Sequence, residues 1–322
     1  MKCSIVIRCF NEEEHLPRLL EGIRQQTVSP SEIIVVDSGS TDATLKVARC
    51  GGARVVQIAQ QEFSFGRSLN QGAEVAIGDL LVVVSAHTYP ASSRWLEALL
   101  EPFTDPRVAL VYGCQRGDHR TKFSEHQLLR QWFPDEPCLD QRHPFCNNAN
   151  TAIRRSIWNR IPYDENLPGL EDIHWAKRAL QAGYRLVYRP DAPIIHVHEE
   201  NYGKIYHRYR REAMALRVVS PWERMRLSHS LSLMFNAMRS DWQEALRQGV
   251  FPRVFWSILC FRSAQYWGAY QGLRWRGEWT SDLRARLYYP VGYRASSSSV
   301  RAEHFPVEEQ PVGVPAARAD AD

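Results

Sequence analysis

The sequence predicts an α/β protein with a mainly parallel sheet flanked by helices, followed by a C-terminal helical extension. Apolar runs at residues 3–10, 32–37, 53–58 and 79–85 are typical of strands, and helical spacing at 12–26 and 44–50 separates three of them. The two most apolar runs carry polar residues only at their ends. This pattern is typical of a buried parallel sheet that binds ligands at the carboxyl ends of its strands.

Composition places the 322-residue chain among ordinary globular proteins, with 44% hydrophobic and 24% charged residues. The seven cysteines are an odd set without Cys-x-x-Cys spacing, which argues against a zinc ribbon and a disulfide framework. We expect a cytoplasmic protein. The first residues run into a strand without the features of a signal peptide.

The nucleotide-binding motifs with Gly-x-Gly-x-x-Gly or Gly-x-x-x-x-Gly-Lys spacing are absent from the first half. A nucleotide would therefore be held by other groups at the strand ends. Asp37 is one candidate, since it follows a buried strand and its carboxylate can accept hydrogen bonds from a base or ribose. An aspartate before Ser-Gly is also an ordinary turn former, and both interpretations stay open.

Two adjacent carboxylates, Glu171 and Asp172, follow a Pro-Gly turn at a predicted helix start. They could simply complement the helix dipole. Behind a nucleotide-binding α/β half, however, such a pair is also a candidate general base.

Five segments together resemble the family 2 glycosyltransferases of the Rossmann-like GT-A fold, over roughly residues 1–215. They are residues 4–13, 33–42, 68–72, 78–85 and 170–172. Residues 62–70 and the Ser85-Ala86-His87-Thr88 segment are similar to a bacterial subset described as rhamnosyltransferase-like.

The resemblance implies that Asp172 is the catalytic base, with Glu171 beside it, and that Asp37 binds the nucleotide base. The nucleotide-sugar site would comprise Phe10, Asn11, Glu12, Asp37, Ser38, Gly39, Arg67, Asn70, Ser85 and His87.

The metal motif departs from the family pattern, because Ser85-Ala86-His87 stands where Asp-X-Asp usually holds a divalent ion. Mg²⁺ prefers oxygen ligands, whereas imidazole suits transition metals. Metal dependence is therefore an open question.

Residues 194–200 are predicted to form a strand with His196 and His198 on one face, and His87 and His198 are the candidate ligands for Mn²⁺ or Mg²⁺. Structural histidines are the alternative.

Residues 112–142 are rich in charged and aromatic side chains, Trp132 among them, and predict an acceptor-side loop with a short helix. Asn148 and Asn150 could hydrogen-bond sugar hydroxyls. A polar strand edge is the alternative for the asparagine segment.

Residues 204–276 contain thirteen Lys or Arg against four Asp or Glu, a net charge of +9 interleaved with aromatic residues. This predicts helices that attach peripherally to an anionic membrane without spanning it. A dimer interface or a solvated basic face is the alternative. RNA binding is not expected, since no nucleic-acid motif accompanies the charge. Residues 293–322 predict a disordered tail.

The predicted organisation is a nucleotide-sugar half at 1–115, an acceptor and catalytic half at 116–203, the extension at 204–292 and the tail at 293–322. We expect an inverting glycosyltransferase that moves a sugar from a nucleotide-diphosphate donor to a hydroxyl of a glycan or lipid-linked acceptor. It would act in cell-surface polysaccharide synthesis at the inner face of the membrane. The alternatives are a nucleotidyltransferase on a related fold and a non-catalytic nucleotide-sugar-binding protein.

Overall fold

A computed structural model describes residues 1–221, 225–277 and 283. The predicted disordered tail and Trp222, Glu223 and Arg224 of the predicted basic extension lie outside the described residues. The strands are β1 (Cys3–Cys9), β2 (Glu32–Asp37), β3 (Arg54–Gln57), β4 (Leu80–Ser85), β5 (Thr88–Pro90), β6 (Val108–Arg116), β7 (Cys138–Gln141), β8 (Asn150–Arg154) and β9 (Arg185–His196). The helices are α1 (Leu16–Arg24), α2 (Thr44–Cys50), α3 (Phe65–Val75), α4 (Trp95–Leu100), α5 (Phe123–Trp132), α6 (Arg155–Trp158), α7 (Glu171–Gln181), α8 (Tyr202–Val219), α9 (Leu227–Arg247) and α10 (Phe251–Arg274).

The described strands form one sheet in the order β3-β2-β1-β4-β8-β6-β9-β5, with β7 beside β9. The strands β3, β2, β1 and β4 are mutually parallel, and β8 runs antiparallel between β4 and β6. The prediction of a mainly parallel sheet flanked by helices is therefore confirmed. The carboxyl ends of β1 and β4 lie side by side, because Arg8 is paired with Ser85.

Strand β1 is buried on both faces, which explains its unbroken apolar sequence. Ile5 and Ile7 pack into one apolar layer with Leu16 of α1, whereas Val6 packs into a second layer that includes Trp175 of α7. Because successive side chains of a strand point to opposite faces, both layers need apolar residues.

The predicted strand at residues 194–200 was wrong in its bounds, because β9 ends at His196. The strand runs from Arg185 through two prolines and ends at His196, so His198 lies beyond it rather than on the same strand face. Thr88 of β5 pairs with His196, and the N–H of Val197 donates to the carbonyl of His87 at 3.0 Å. This pairing places His87 beside His196.

The described part of the C-terminal extension is mainly helical, as predicted, and α8 packs closely against α10. A Cβ atom on Gly268 would lie 2.4 Å from the carbonyl oxygen of Tyr206, and one on Gly272 would lie 2.3 Å from that of Arg210. The two helix backbones therefore meet where α10 has no side chains. Among the residues that the structure describes, no helix has the length and apolarity to cross a membrane.

Candidate active site

A cavity of about 670 Å³ opens at the carboxyl ends of β1 and β4, between the sheet and helix α8. Its lining includes residues from the loop after β1, the segment after β4, the start of α7 and the chain after β9. The lining residues that the sequence predicted are Phe10, Asn11, Glu12, Ser85, His87, Asn148, Glu171, Asp172 and His198.

Helix α7 begins at Glu171, as the Pro-Gly turn predicts, and both carboxylates face the cavity. Leu170, just before the helix, adopts the left-handed conformation with φ +55°, which is uncommon for a residue other than glycine. Residues held in such conformations cluster at functional sites because the surrounding structure must stabilise them.

Asn148 binds both carboxylates. Its backbone N–H donates to Asp172 Oδ2 at 3.1 Å, and its side-chain Nδ2 donates to Glu171 Oε1 at 3.2 Å. Tyr163 Oη donates to the remaining side-chain oxygen of Asn148 at 3.2 Å. The amide oxygen and one amide N–H of Asn148 are therefore bound within the protein, and Asn148 positions both carboxylates. Its contact with an acceptor stays a prediction.

The environment of Asp172 favours its protonated form. Burial, and then the negative charge of Glu171, raise the pKa of Asp172 from 3.8 to about 7. The positive charge of Arg8 acts in the opposite direction, and Arg8 Nη1 lies 3.3 Å from Glu171 Oε1. A carboxyl group whose pKa lies near neutrality has the basicity that a general base needs.

Three histidines, His87, His196 and His198, meet among the residues that line the cavity. The rings of His87 and His196 are stacked with centroids 5.0 Å apart, and the Nε2 atoms of His196 and His198 are separated by 2.9 Å. One nitrogen from each of the three rings lies within 4.8 Å of the others. The sequence predicted His87 and His198 as candidate ligands, and the structure adds His196 to the cluster.

Each of these histidines has its Nδ1 at hydrogen-bond distance from a side-chain oxygen, which fits the tautomer with its hydrogen on Nδ1. The acceptors are Glu12 Oε1 for His87, Gln115 Oε1 for His196 and Glu125 Oε1 for His198, at 2.8, 2.8 and 2.7 Å. In neutral imidazole this leaves the lone pair on Nε2. Metal-binding histidines typically donate their other N–H to such an acceptor, so the residues fit a divalent transition metal.

Burial, and then the neighbouring His198 and His87, lower the pKa of His196 well below its usual range. A histidine that stays neutral keeps its lone pair for a metal ion. Behind His198, burial alone would raise the pKa of Glu125, but Arg208 and His198 lower it to about 2. Glu125 is therefore a carboxylate that can hold His198 by a charge-assisted hydrogen bond.

Asp37 lies outside the cavity lining, and its side chain is fully buried. Its Oδ2 accepts hydrogen bonds from the backbone N–H groups of Gly39 and Ser40, both at 3.0 Å. This turn also contacts the loop after β1, because the backbone N–H of Asn11 donates to Ser40 Oγ at 2.9 Å. These contacts agree with the turn-forming alternative, and direct contact with a nucleotide base stays a prediction. Ser38 is also buried and outside the lining. Gly39, with a left-handed φ of +91°, is exposed and likewise lies outside the lining.

Asn70 and Asn150 require correction, because both are structural in the core. Asn70 binds Tyr163 and Trp158, while the Asn150 amide donates to the carbonyls of Cys114 and Ala192 and accepts from the indole of Trp95. Asn150 is fully buried at the start of β8, between β4 and β6, so it does not face an acceptor.

Arg67 and Trp132 also lie outside the cavity lining. Arg67 pairs with Glu165 at 3.4 Å, and Trp132 contacts Phe145, with ring centroids 6.4 Å apart. The structure therefore does not place the predicted donor-binding arginine or the predicted acceptor-binding tryptophan at the cavity.

Comparison with known proteins identifies the family. The model of Glycosyl transferase family 2 matches residues 4–161, which include the β1 and β4 ends and the segment that holds Asn148. The chain belongs to glycosyl transferase family 2.

Relatives of this family 2 glycosyltransferase extend the match over most of the chain. It is 26% identical to the O-antigen chain rhamnosyltransferase RfbN of Salmonella typhimurium, covering 83% of this chain and 90% of the relative. It is 26% identical to the O-antigen chain rhamnosyltransferase WbaN of Salmonella anatum, covering 76% of this chain and 82% of that one.

A solved structure confirms the GT-A fold of this family 2 glycosyltransferase. The mannosyltransferase PcManGT from Pyrobaculum calidifontis, in complex with GDP-Man and Mn²⁺, superposes with a TM-score of 0.59 at 17% identity. The similarity covers 85% of this chain and 87% of that chain.

Sequence reasoning missed several residues of this glycosyltransferase that line the cavity or contact its histidines. Arg8 was detectable, since an arginine within an otherwise apolar buried strand needs a partner. Gln115 and Glu125 carried no comparable signal, because their role depends on β6 and α5 packing against the end of β9. Arg208 and Arg211 of α8 also line the cavity and could not be distinguished from the other basic residues of the extension.

Proposed function

We propose that this glycosyltransferase transfers a sugar with inversion from a nucleotide-diphosphate donor to an acceptor hydroxyl, with Asp172 as the general base. The observation that carries the proposal is the raised pKa of Asp172 in a cavity whose lining also includes three histidines with the spacing of metal ligands. Asp172 would take the hydroxyl proton as the acceptor oxygen attacks the anomeric carbon from the face opposite the diphosphate.

The neighbours of Asp172 support this role by fixing its position. The N–H groups of Asn148 and Ile173 each donate to one of its oxygens, at 3.1 and 2.8 Å. Each oxygen has more than one lone pair, so the carboxylate retains capacity to accept the acceptor's proton. Glu171 is held by Arg8 and Asn148, which suits it to maintain the basicity of Asp172 through its charge.

Negative charge builds on the diphosphate as it leaves, and the cavity offers positive groups to stabilise it. Lys204, Arg208 and Arg211 line the cavity along α8. His87, His196 and His198 would hold a divalent metal ion, which when bound would neutralise part of the leaving-group charge. PcManGT is described with Mn²⁺, and the all-histidine cluster here favours a transition metal over Mg²⁺.

The donor class follows from the description of PcManGT with GDP-Man, and the acceptor class from relatives described as O-antigen chain rhamnosyltransferases. We therefore propose a nucleotide-diphosphate sugar donor and a glycan or lipid-linked acceptor of cell-surface polysaccharide synthesis. A site at the inner face of the membrane with peripheral contact through the extension is part of this proposal. The family match disfavours a nucleotidyltransferase, and the buried Glu171–Asp172 pair argues against a protein that only binds nucleotide sugars.

A thermal-shift screen of nucleotide-diphosphate sugars, with and without Mn²⁺ or Zn²⁺, tests the donor class. We expect one base and sugar combination to raise the melting temperature, and the same donor to be consumed when an acceptor glycan is added. A protein that is stabilised by a donor but neither transfers nor hydrolyses it would support the binding-protein alternative.

A further inference from the structure

One flank of α9 exposes large apolar side chains. Leu231, Phe235 and Leu246 are 40%, 59% and 60% exposed, and the spacing of four and eleven residues places them on one side of the helix. Trp242 falls on the same flank by this spacing and is half-buried.

The outer side of α10 continues this surface. Trp256 and Trp267 are 69% and 48% exposed and lie eleven residues, or about three turns, apart. Ring contacts join the two helices, because Phe255 stacks on Trp242 with centroids 5.2 Å apart and also meets the ring of Trp256 at 5.2 Å. We call Leu231, Phe235, Leu246, Trp256 and Trp267 together the α9–α10 face.

Basic residues accompany this face, whereas the two acidic residues of α9 are both paired, Glu244 with the exposed Arg247 at 3.5 Å. Helix α10 contains no Asp or Glu, and it carries exposed Arg253 and Arg274 near its two ends. Asp241 of α9 is buried in a two-pronged ion pair with Arg262, both contacts being 2.8 Å, so its charge is compensated inside the protein. Arg239, one turn from Phe235, is exposed.

We propose that the α9–α10 face docks on an anionic lipid bilayer, with its aromatic and leucine side chains in the interface and its arginines against the headgroups. Tryptophan is favoured at this boundary because its ring is amphipathic, and each basic side chain near an anionic surface contributes on the order of 1 kcal/mol. A second copy of the chain fits less well, since two such faces would bring arginines of like charge together.

The face has a defined relation to the cavity. Helix α8 lines the cavity with Lys204 and Arg208 and packs backbone to backbone on α10 at Gly268 and Gly272. A bilayer under α10 would therefore lie one helix layer from the cavity, which suits a lipid-linked acceptor. The docking itself does not depend on the proposed transfer reaction.

Co-sedimentation with vesicles tests the proposal on the full chain. The probes are phosphatidylcholine vesicles with and without phosphatidylglycerol, each at low and high salt. The variants are Trp256→Ser/Trp267→Ser and, as a matched control, Ile77→Ser/Leu139→Ser, whose residues are 62% and 59% exposed outside the extension. Circular dichroism melting and donor-induced thermal shift verify that each variant is folded.

We expect the wild-type chain and the control to sediment with phosphatidylglycerol vesicles, and the tryptophan variant to bind at least about tenfold more weakly. High salt should weaken wild-type binding only in part, because interfacial burial is not screened. The proposal is overturned if the wild-type chain stays in the supernatant, or if the tryptophan variant binds like the control. It is also overturned if ultracentrifugation shows a dimer that the same substitutions dissociate and vesicles do not bind.

Discussion

The Nε2 atoms of His196 and His198 face each other across 2.9 Å, while the Nδ1 of each ring lies at hydrogen-bond distance from a side-chain oxygen and fits the tautomer with its hydrogen there. Two neutral rings in these tautomers would bring two lone pairs together, an arrangement that a shared cation stabilises. We predict that the protein binds Zn²⁺ and Co²⁺ more tightly than Mn²⁺ and that Mg²⁺ binds weakest, following donor softness and the order of transition-metal affinities. Calorimetry and the visible absorption of bound Co²⁺ measure this without an activity assay.

His196→Gln should abolish the Co²⁺ spectrum, whereas His143→Gln, at an exposed histidine outside the cluster, should preserve it. Equal Mg²⁺ and Zn²⁺ affinity, or a Co²⁺ spectrum that survives His196→Gln, would show that carboxylates elsewhere supply the site.

Gln115 is expected to act as a positioning residue for His196. Gln115→Met removes the acceptor of the His196 Nδ1–H, and losing such an outer acceptor typically lowers metal affinity about 10- to 100-fold. Gln115→Glu keeps an acceptor oxygen and should restore binding. Unchanged Co²⁺ affinity in Gln115→Met would contradict the assigned tautomer.

The pH dependence of transfer should report Asp172. Because burial and Glu171 raise the pKa of Asp172 to about 7, the base is protonated and inactive in acid, and kcat/KM should rise with pH to a plateau above neutrality. Glu171→Gln removes a charge that raises this pKa and should move the rise to lower pH. Arg8→Met removes a charge that lowers it and should move the rise to higher pH. Shifts in one common direction would rule out this electrostatic account.

Two substitutions distinguish direct binding of the nucleotide base by Asp37 from a purely structural role of Asp37 in the turn. We predict that Asp37→Ala raises the donor dissociation constant about tenfold or more and leaves the chemical step nearly unchanged. Ser40→Ala is the matched variant, because Ser40 Oγ binds both Asp37 and Asn11. If both variants weaken donor binding equally, Asp37 acts only through the turn, and normal binding in Asp37→Ala would remove it from the donor site altogether.

The elements that the sequence predicted well are those determined by local pattern. β2 and α2 have the expected bounds, and α7 starts at Glu171, because apolar runs and a Pro-Gly turn specify them locally. The last part of β9 was predicted, within residues 194–200, but not β9 as one strand. The strand passes through Pro190 and Pro193, which normally mark the end of a strand.

The site was harder to predict than the fold because it depends on distant pairings. His87 meets His196 only because β5 pairs with the far end of β9. Asn70 and Asn150 resembled sugar-binding amides because sequence alone does not reveal that their partners are buried main-chain and indole groups. The burial and the hydrogen-bond partners of a polar side chain must therefore be known before a ligand-binding role is assigned to it.

Turnover of Asp172→Asn tests the central claim most directly. The substitution keeps the size of the side chain and removes its basicity, and its one remaining oxygen can still accept from the N–H of Asn148 or from that of Ile173. The account predicts donor binding close to wild type and turnover lowered by about 10² or more, as for loss of a positioned general base. Turnover within about threefold of the wild-type value, at saturating donor and acceptor, would contradict the assignment of Asp172 as the base.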